Sequence, residues 1–111
     1  KKIFIDIWAS WCHDCVGSIP KVKELYNKLA NSNVQFVYLS VDKKQEKWKA
    51  AIDKYELRGD HYYQKKGWES DFNKSIELDW IPRYMVVNEN GEITLFRSIE
   101  ADEEKLYSAL K

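Results

Sequence analysis

Cysteine is scarce in this chain of 111 residues, which contains only two. Small secreted domains that depend on disulfides carry several cysteine pairs, so we do not expect a disulfide scaffold. A domain of this length can bury a core without such links. Both cysteines lie in one short motif, which favours a redox or metal function for the pair.

An excess of charge of either sign is also absent, because 18 basic residues balance 18 acidic ones. Proteins that bind nucleic acid or anionic membranes through their overall charge carry a positive excess. We therefore expect a protein or a small molecule as partner, and no nucleic acid.

Long apolar runs are missing as well. No stretch approaches the roughly 18–20 residues of a transmembrane helix, and no signal-peptide pattern is present, so we expect no membrane contact by this segment itself.

Apolar residues make up 44% and aromatic residues 14%, as in a folded protein. We expect one domain over residues 1–111, cut from a longer chain because the sequence begins at Lys1-Lys2 without an initiator methionine and enters a strand within two residues.

The first half of the chain alternates strand and helix patterns. Residues 3–8 and 34–41 are apolar runs typical of buried strands, and the helix between them makes a parallel crossover. Apolar residues spaced by three and four predict that this helix spans residues 14–30, with a kink near Pro20.

The second half begins with residues 42–80, a segment too long for a simple crossover. Its periodicity predicts helices at residues 45–55 and near 70–75, whereas residues 57–67 lack a clean period and are interpreted as a loop containing His61, Tyr62 and Tyr63.

A hairpin and a helix end the chain. Residues 83–87 and 92–96 are strands joined by an Asn-Gly turn, and a helix with Asp102 as its N-cap covers residues 102–110. The sequence therefore predicts an α/β fold with a mixed sheet and a helical insert after the second strand.

The five residues Trp11-Cys12-His13-Asp14-Cys15 directly follow the first strand. Two thiols at this spacing can close a disulfide ring, and a position in the first helical turn favours a thiolate, which is the chemistry of thiol–disulfide exchange. Two buried cysteines that only pack, or a zinc site that includes His13, are the alternatives. Zinc requires about four ligands, and adjacent residues rarely converge on one ion.

This motif at a strand-to-helix junction resembles the thioredoxin-like superfamily. Asp6 in the preceding strand, Trp11 beside the first cysteine, and Ile81-Pro82 before a late strand match the same pattern. The long segment before Ile81 is similar to the TlpA/ResA-type branch of thiol–disulfide oxidoreductases. The resemblance implies a thioredoxin fold, with a central mixed sheet flanked by helices.

The resemblance also implies roles for the cysteines. Cys12 would attack a disulfide-bonded protein substrate and Cys15 would resolve the mixed disulfide, with an upstream thiol reductant as electron source and no bound cofactor. Members of this branch face the periplasm or the cell envelope. A thioredoxin-like interaction module without turnover, or a disulfide oxidant or isomerase, are the alternative functions.

Three further site predictions accompany this interpretation. Asp6 is a lone carboxylate in an apolar strand, so it is either a buried base that exchanges a proton with Cys15 or a solvated residue. His13 and Asp14 lie between the cysteines, where the family's usual pattern ends in a proline. They would tune the redox potential in opposite directions, the alternative being that His13 is an exposed spectator.

The substrate-binding predictions rest on the family pattern. Pro82 is expected to be cis and to leave the backbone of Ile81 free to pair with substrate, the alternative being a trans proline at a strand start. Trp11 would add apolar contact area, unless it is an ordinary partly buried tryptophan. The remaining tryptophans after the second strand, Trp48, Trp68 and Trp80, are expected in the core or a lid.

Overall fold

The computed structural model describes all 111 residues as a five-stranded sheet flanked by helices. Its elements follow in the order β1 (Lys2–Trp8), α1 (His13–Gly17), α2 (Ile19–Lys28), β2 (Val34–Ser40), α3 (Gln45–Tyr55), β3 (Asp60–Tyr63), a 3-10 turn (Gly67–Glu69), α4 (Asp71–Ser75), β4 (Arg83–Val87), β5 (Ile93–Ser98) and α5 (Glu104–Leu110).

The predicted mixed sheet is confirmed, with the strand order β3-β2-β1-β4-β5. β1 lies in the middle, parallel to β2 and antiparallel to β4. Its residues Phe4 and Ile7 are fully buried because they belong to opposite faces of a strand that is covered on both sides. The carboxyl end of this central strand leads directly into the cysteine motif.

The single kinked helix predicted for residues 14–30 is wrong, because the structure has two helices that meet at Ser18. Pro20 lies in the first turn of α2, where its missing N–H breaks no hydrogen bond. The proline therefore starts a new helix instead of bending an existing one. The consequence is a separate short helix, α1, that contains Cys15 and has Cys12 as its N-cap.

The loop predicted around His61, Tyr62 and Tyr63 is also wrong, because these residues belong to the edge strand β3, which is parallel to β2. Gly59 explains how the chain enters this strand. It has a φ of +138°, and a Cβ there would lie 2.7 Å from the carbonyl oxygen of Phe36. The sequence of this short polar strand has no periodic pattern, and the strand forms because it pairs with β2.

The predicted helix at Gln45–Tyr55 and the antiparallel hairpin of β4 and β5 are confirmed. The predicted N-cap of the last helix is wrong, because Glu103 takes the position expected of Asp102. Leu106 and Leu110 of that helix are buried in the core. None of the helices combines the length and the apolar character needed to cross a bilayer.

Candidate functional site

The two cysteines form a disulfide at the start of α1, with their Cα atoms 5.2 Å apart. Cys12 is the N-cap of this helix, and the backbone N–H of Cys15 donates a hydrogen bond to Cys12 Sγ at 3.1 Å. The first N–H groups of a helix lack partners within the helix, so a sulfur at the cap position receives them. The same geometry favours negative charge on Cys12 once the disulfide is reduced.

The two cysteines are buried to a similar extent, since Cys12 is 7% exposed and Cys15 is 4% exposed. They differ in whether they border a cavity. Cys12 lines an open cavity of about 320 Å³, whereas Cys15 does not. The other lining residues are Trp11, His13, Asp14, Trp68, Asp79, Trp80 and Ile81. A partner placed in this cavity can therefore reach only the first cysteine of the motif.

The segment before β4 lies against the disulfide. The Ile81-Pro82 peptide bond is cis, as the family pattern implied, and the carbonyl oxygen of Ile81 is 3.8 Å from Cys12 Sγ. The buried Arg83 anchors this segment, because Nε donates to the carbonyl of Phe96 at 3.1 Å and Nη2 donates to that of Ile76 at 3.0 Å. These two hydrogen bonds attach the segment to β5 and to the end of α4.

Two exposed tryptophans border the cavity beside Cys12. Trp11 is 63% exposed, so the alternative of a partly buried side chain does not hold, and Trp80 is 50% exposed. Of the positions predicted in the core or a lid, Trp48 lies in the core, whereas Trp80 lies outside it. Trp68 is half-buried and donates Nε1 to the carbonyl of Leu78 at 3.2 Å. Trp80 directly precedes Ile81 in the sequence, and this adjacency could have predicted that it borders the cavity at Cys12.

Asp6 is buried in the middle of the sheet, which excludes the solvated alternative. It lies opposite Tyr38 of β2 and Tyr84 of β4, on the same face of the sheet. Its Oδ1 atom has no hydrogen-bond partner. Removal from water raises the pKa of this carboxyl group to about 8, because burial disfavours the ionised form. The structure thus holds a proton-binding group with a pKa of about 8 on the strand that leads into the cysteine motif.

Asp42 is a second buried carboxylate that sequence reasoning missed. Both of its oxygens accept the backbone N–H of Ser10 at 3.1 Å, and the hydroxyl groups of Ser10 and Ser40 each donate to it at 2.6 Å. It therefore connects the end of β2 to the residue that lies two positions before Cys12. No sequence pattern pairs residues 32 positions apart.

His13 and Asp14 are exposed on α1 and line the cavity at Cys12. Asp14 lies in the first turn of this helix and forms no salt bridge. Both residues therefore border the same cavity as Cys12.

Comparison with known proteins identifies thioredoxin-like relatives of this chain. A family model described as thioredoxin-like matches residues 1–93. The thiol-disulfide oxidoreductase ResA of Bacillus thuringiensis subsp. konkukian is 24% identical over 111 residues, which cover 100% of this chain and 62% of that protein. The thioredoxin-like protein YneN of Bacillus subtilis is 34% identical over 97 residues, covering 84% of this chain and 54% of that protein.

Solved structures agree with this result. A solution structure of a provisionally assigned thiol-disulfide oxidoreductase from Bacteroides vulgatus superposes with a TM-score of 0.84 at 31% identity, covering 99% of this chain and 71% of that one. A thiol-disulfide oxidoreductase from Bacteroides fragilis has the same fold, with a TM-score of 0.84 at 24% identity over 97% of this chain and 80% of its own. The chain spans only 47% to 62% of the ResA proteins that it matches over most of its length.

Proposed function

The chain belongs to the thioredoxin-like family and contains a redox-type Cys12–Cys15 pair, and on that premise we propose that it reduces protein disulfides as a thiol–disulfide oxidoreductase. The observation that carries the proposal is the unequal access of the pair. Cys12 lines an open cavity at a helix N-terminus, and Cys15 does not line it. This is the arrangement required for one attacking and one resolving thiol.

The reaction is a two-electron exchange. The Cys12 thiolate attacks one sulfur of a substrate disulfide, forming a mixed disulfide and releasing the other substrate sulfur as a thiolate that takes up a proton. Cys15 then loses its proton and attacks Cys12 Sγ, which releases the second substrate thiolate. The protein is oxidised to the Cys12–Cys15 disulfide and the substrate is reduced to two thiols. A dithiol donor reverses these steps on the protein.

Asp6 is the proposed acceptor of the Cys15 proton. Its support is its burial, its pKa of about 8 and its unpartnered oxygen, together with a position on the strand that leads into the motif. A base is most effective when its pKa is near the working pH. Its Oδ1 atom has no hydrogen-bond partner on the protein that would compete for the proton.

His13 and Asp14 are the proposed determinants of redox direction. A cation at His13 stabilises the Cys12 thiolate and makes the protein more oxidising, whereas the negative charge of Asp14 opposes the thiolate. A reduction potential near about −270 mV supports a reductase, and one near about −120 mV supports an oxidant or isomerase.

The substrate side of the proposal rests on the cavity. The exposed ring of Trp11 and the segment Ile81-Pro82 would hold an extended stretch of substrate next to Cys12. The partners are thus a disulfide-bonded protein and an upstream thiol reductant. Family membership supports a location in the periplasm or cell envelope.

The test is turnover of insulin disulfides with a dithiol donor by the parent protein and by Cys12→Ser and Cys15→Ser variants. We expect Cys12→Ser to lose all turnover above background, and Cys15→Ser to accumulate a mixed disulfide that mass spectrometry detects. Parent activity no higher than that of Cys12→Ser would remove the proposal.

One observation favours the interaction module as a second candidate, namely that Cys12 is only 7% exposed in the oxidised protein. The two candidates differ in thiol reactivity. If the reduced protein acts in exchange, iodoacetamide modifies Cys12 rapidly at pH 7 and Cys15 slowly, because only Cys12 lines the cavity. Equal resistance of both thiols would favour the module.

A further inference from the structure

Three exposed lysines lie beside Trp11, on the side of the cysteine motif formed by the end of β2 and the start of α3. Lys43, Lys44 and Lys47 surround an open cavity of about 440 Å³ together with Ser10, Trp11 and Asp42. We call these three residues the lysine patch. Because Trp11 also lines the cavity that reaches Cys12, the two cavities adjoin at this ring.

The lysine patch has no partner within the protein. None of its side chains forms a salt bridge, whereas Lys21, Lys28, Lys74 and Lys105 each contact a carboxylate. Asp42 is the acidic residue that lines the same cavity, but its carboxylate is buried and accepts hydrogen bonds from Ser10 and Ser40. Glu46, in the first turn of α3, does not line the cavity. Three exposed lysines without a salt bridge against one buried carboxylate leave this surface with an excess of positive charge that another molecule can contact.

The lysine patch also lies at the N-terminus of α3, where positive side chains are unfavourable. Lys44 is the N-cap of α3 without a side-chain hydrogen bond, and Lys47 follows in the first turn. A helix N-terminus carries partial positive charge, so acidic residues stabilise this end and lysines do not. The lysines thus do not contribute to the stability of α3, which makes an intermolecular role the better explanation of their position.

The patch is held at a fixed place relative to the disulfide. Asp42, which directly precedes it, accepts hydrogen bonds from the backbone and hydroxyl groups of Ser10, two positions before Cys12. The carbonyl of Lys43 accepts a hydrogen bond from the Tyr63 hydroxyl at 2.9 Å. The backbone of the patch is therefore fixed relative to the strand end that presents Cys12.

The other side of the disulfide has the opposite charge. A cavity of about 420 Å³ there is lined by Asp14 and Glu100 beside His13 and Trp80. Glu100 contacts Lys21 at 3.7 Å, and Asp14 forms no salt bridge. The surface is thus positive on the Trp11 side of Cys12 and negative on the Trp80 side.

From this polarity we infer that the lysine patch binds acidic residues that flank the target cysteine of the substrate protein. The inference rests on the proposed reductase function and names its substrate class. An acidic segment would contact the lysines while its disulfide lies at Cys12, and a basic segment would be repelled. Charge of this kind acts mainly on the association rate and on the choice of partner.

The experiment compares three disulfide substrates in low salt. Two are peptide disulfides that differ only in glutamate or lysine residues beside the cysteines, and the third is the small neutral 2-hydroxyethyl disulfide. The variant Lys44→Glu/Lys47→Glu is compared with Lys1→Glu/Lys111→Glu, which changes the net charge equally at the far end of the sheet, where Lys2 contacts Lys111. Glutamate at the start of α3 suits the helix dipole, so loss of folding is not expected to obscure the result.

We expect the parent to reduce the acidic peptide about tenfold faster than the basic one, measured as kcat/KM. The lysine-patch variant reverses this preference, the far-end control keeps it, and all three proteins reduce the neutral disulfide equally. Raising the salt to about 0.5 M removes most of the preference, because the Debye length falls to about 4 Å and the attraction between the patch and an approaching peptide is screened beyond direct contact.

The outcomes separate the two proposals. If the parent reduces none of the three substrates, the proposed function fails. If it reduces all three and the lysine-patch variant keeps the parent's preference, the function stands and the docking inference is wrong. Binding of the parent to vesicles with anionic lipid that the variant loses, with no change in peptide preference, would overturn the inference in favour of a membrane surface.

Discussion

Asp6 and Asp42 are two aspartates at similar depth in adjoining parts of the molecule, 6% and 1% exposed, but they have different surroundings. Asp42 accepts hydrogen bonds from the backbone of Ser10 and from two hydroxyl groups, those of Ser10 and Ser40. Asp6 lies between two tyrosines of the neighbouring strands, and its Oδ1 atom accepts none.

This difference shows that burial alone does not define the role of a carboxylate. A buried carboxylate with several donors stabilises the chain segments that supply them, whereas one without donors is stable mainly in its protonated form. Asp42 therefore belongs to the framework that places Cys12, and Asp6 is suited to proton transfer. The two residues should respond to substitution in opposite ways.

The largest effect is expected for Asp6→Asn. If Asp6 accepts the Cys15 proton, the variant should resolve the mixed disulfide about a hundredfold more slowly at pH 8, because general base catalysis contributes at least this much. Stopped-flow measurement of substrate thiol release between pH 6 and 8 checks this. A rate equal to that of the parent over this range would contradict the proposed role.

The same variant should be more stable than the parent. The folded pKa of about 8 lies above the unfolded pKa of about 4, so between these values the native state binds a proton that the unfolded state has lost. The free energy of unfolding of the parent therefore falls as the pH rises from about 4 to 8, and asparagine lacks this dependence. Urea unfolding should show the oxidised variant gaining about 3–5 kcal/mol over the parent across this range.

Asp42→Ala should show the reverse pattern. The substitution leaves the N–H of Ser10 and two hydroxyl groups without their acceptor, and we expect the free energy of unfolding to fall by about 3 kcal/mol. Urea unfolding at pH 7 measures it. Asp53→Ala is the matched control, because Asp53 is exposed on α3 without a side-chain hydrogen bond. An equal fall in the free energy of unfolding of this control would contradict the stabilising role given to Asp42.

The smallest effect is expected for Ser10→Ala, which removes one hydroxyl donor and keeps the backbone N–H bond to Asp42. We expect a loss of about 1 kcal/mol in the same unfolding measurement. Turnover of the neutral 2-hydroxyethyl disulfide should stay within about twofold of the parent's, since Cys12 and Asp6 are unchanged. A loss equal to that of Asp42→Ala would show that the hydroxyl group carries the whole interaction.

Local patterns predicted much of this fold, because the elements concerned have a strong periodicity or a specific turn. β1, the helix Gln45–Tyr55 and the hairpin of β4 and β5 are examples. The edge strand β3 is the counterexample. Its four residues Asp60–Tyr63 do not alternate between polar and apolar types in the sequence, and their conformation depends on pairing with β2 across the space that Gly59 leaves open.

By itself the sequence determined that two thiols three positions apart follow a buried strand and begin a helix, because strand, turn and helix signals act over a few neighbouring residues. Only the tertiary structure decided what surrounds them. It brings Ile81 to Cys12 across 69 positions and joins Ser10 to Asp42 across 32. Contacts of this range depend on the packing of the whole sheet, which no local pattern encodes. The surface that would choose a substrate is therefore a property of the fold.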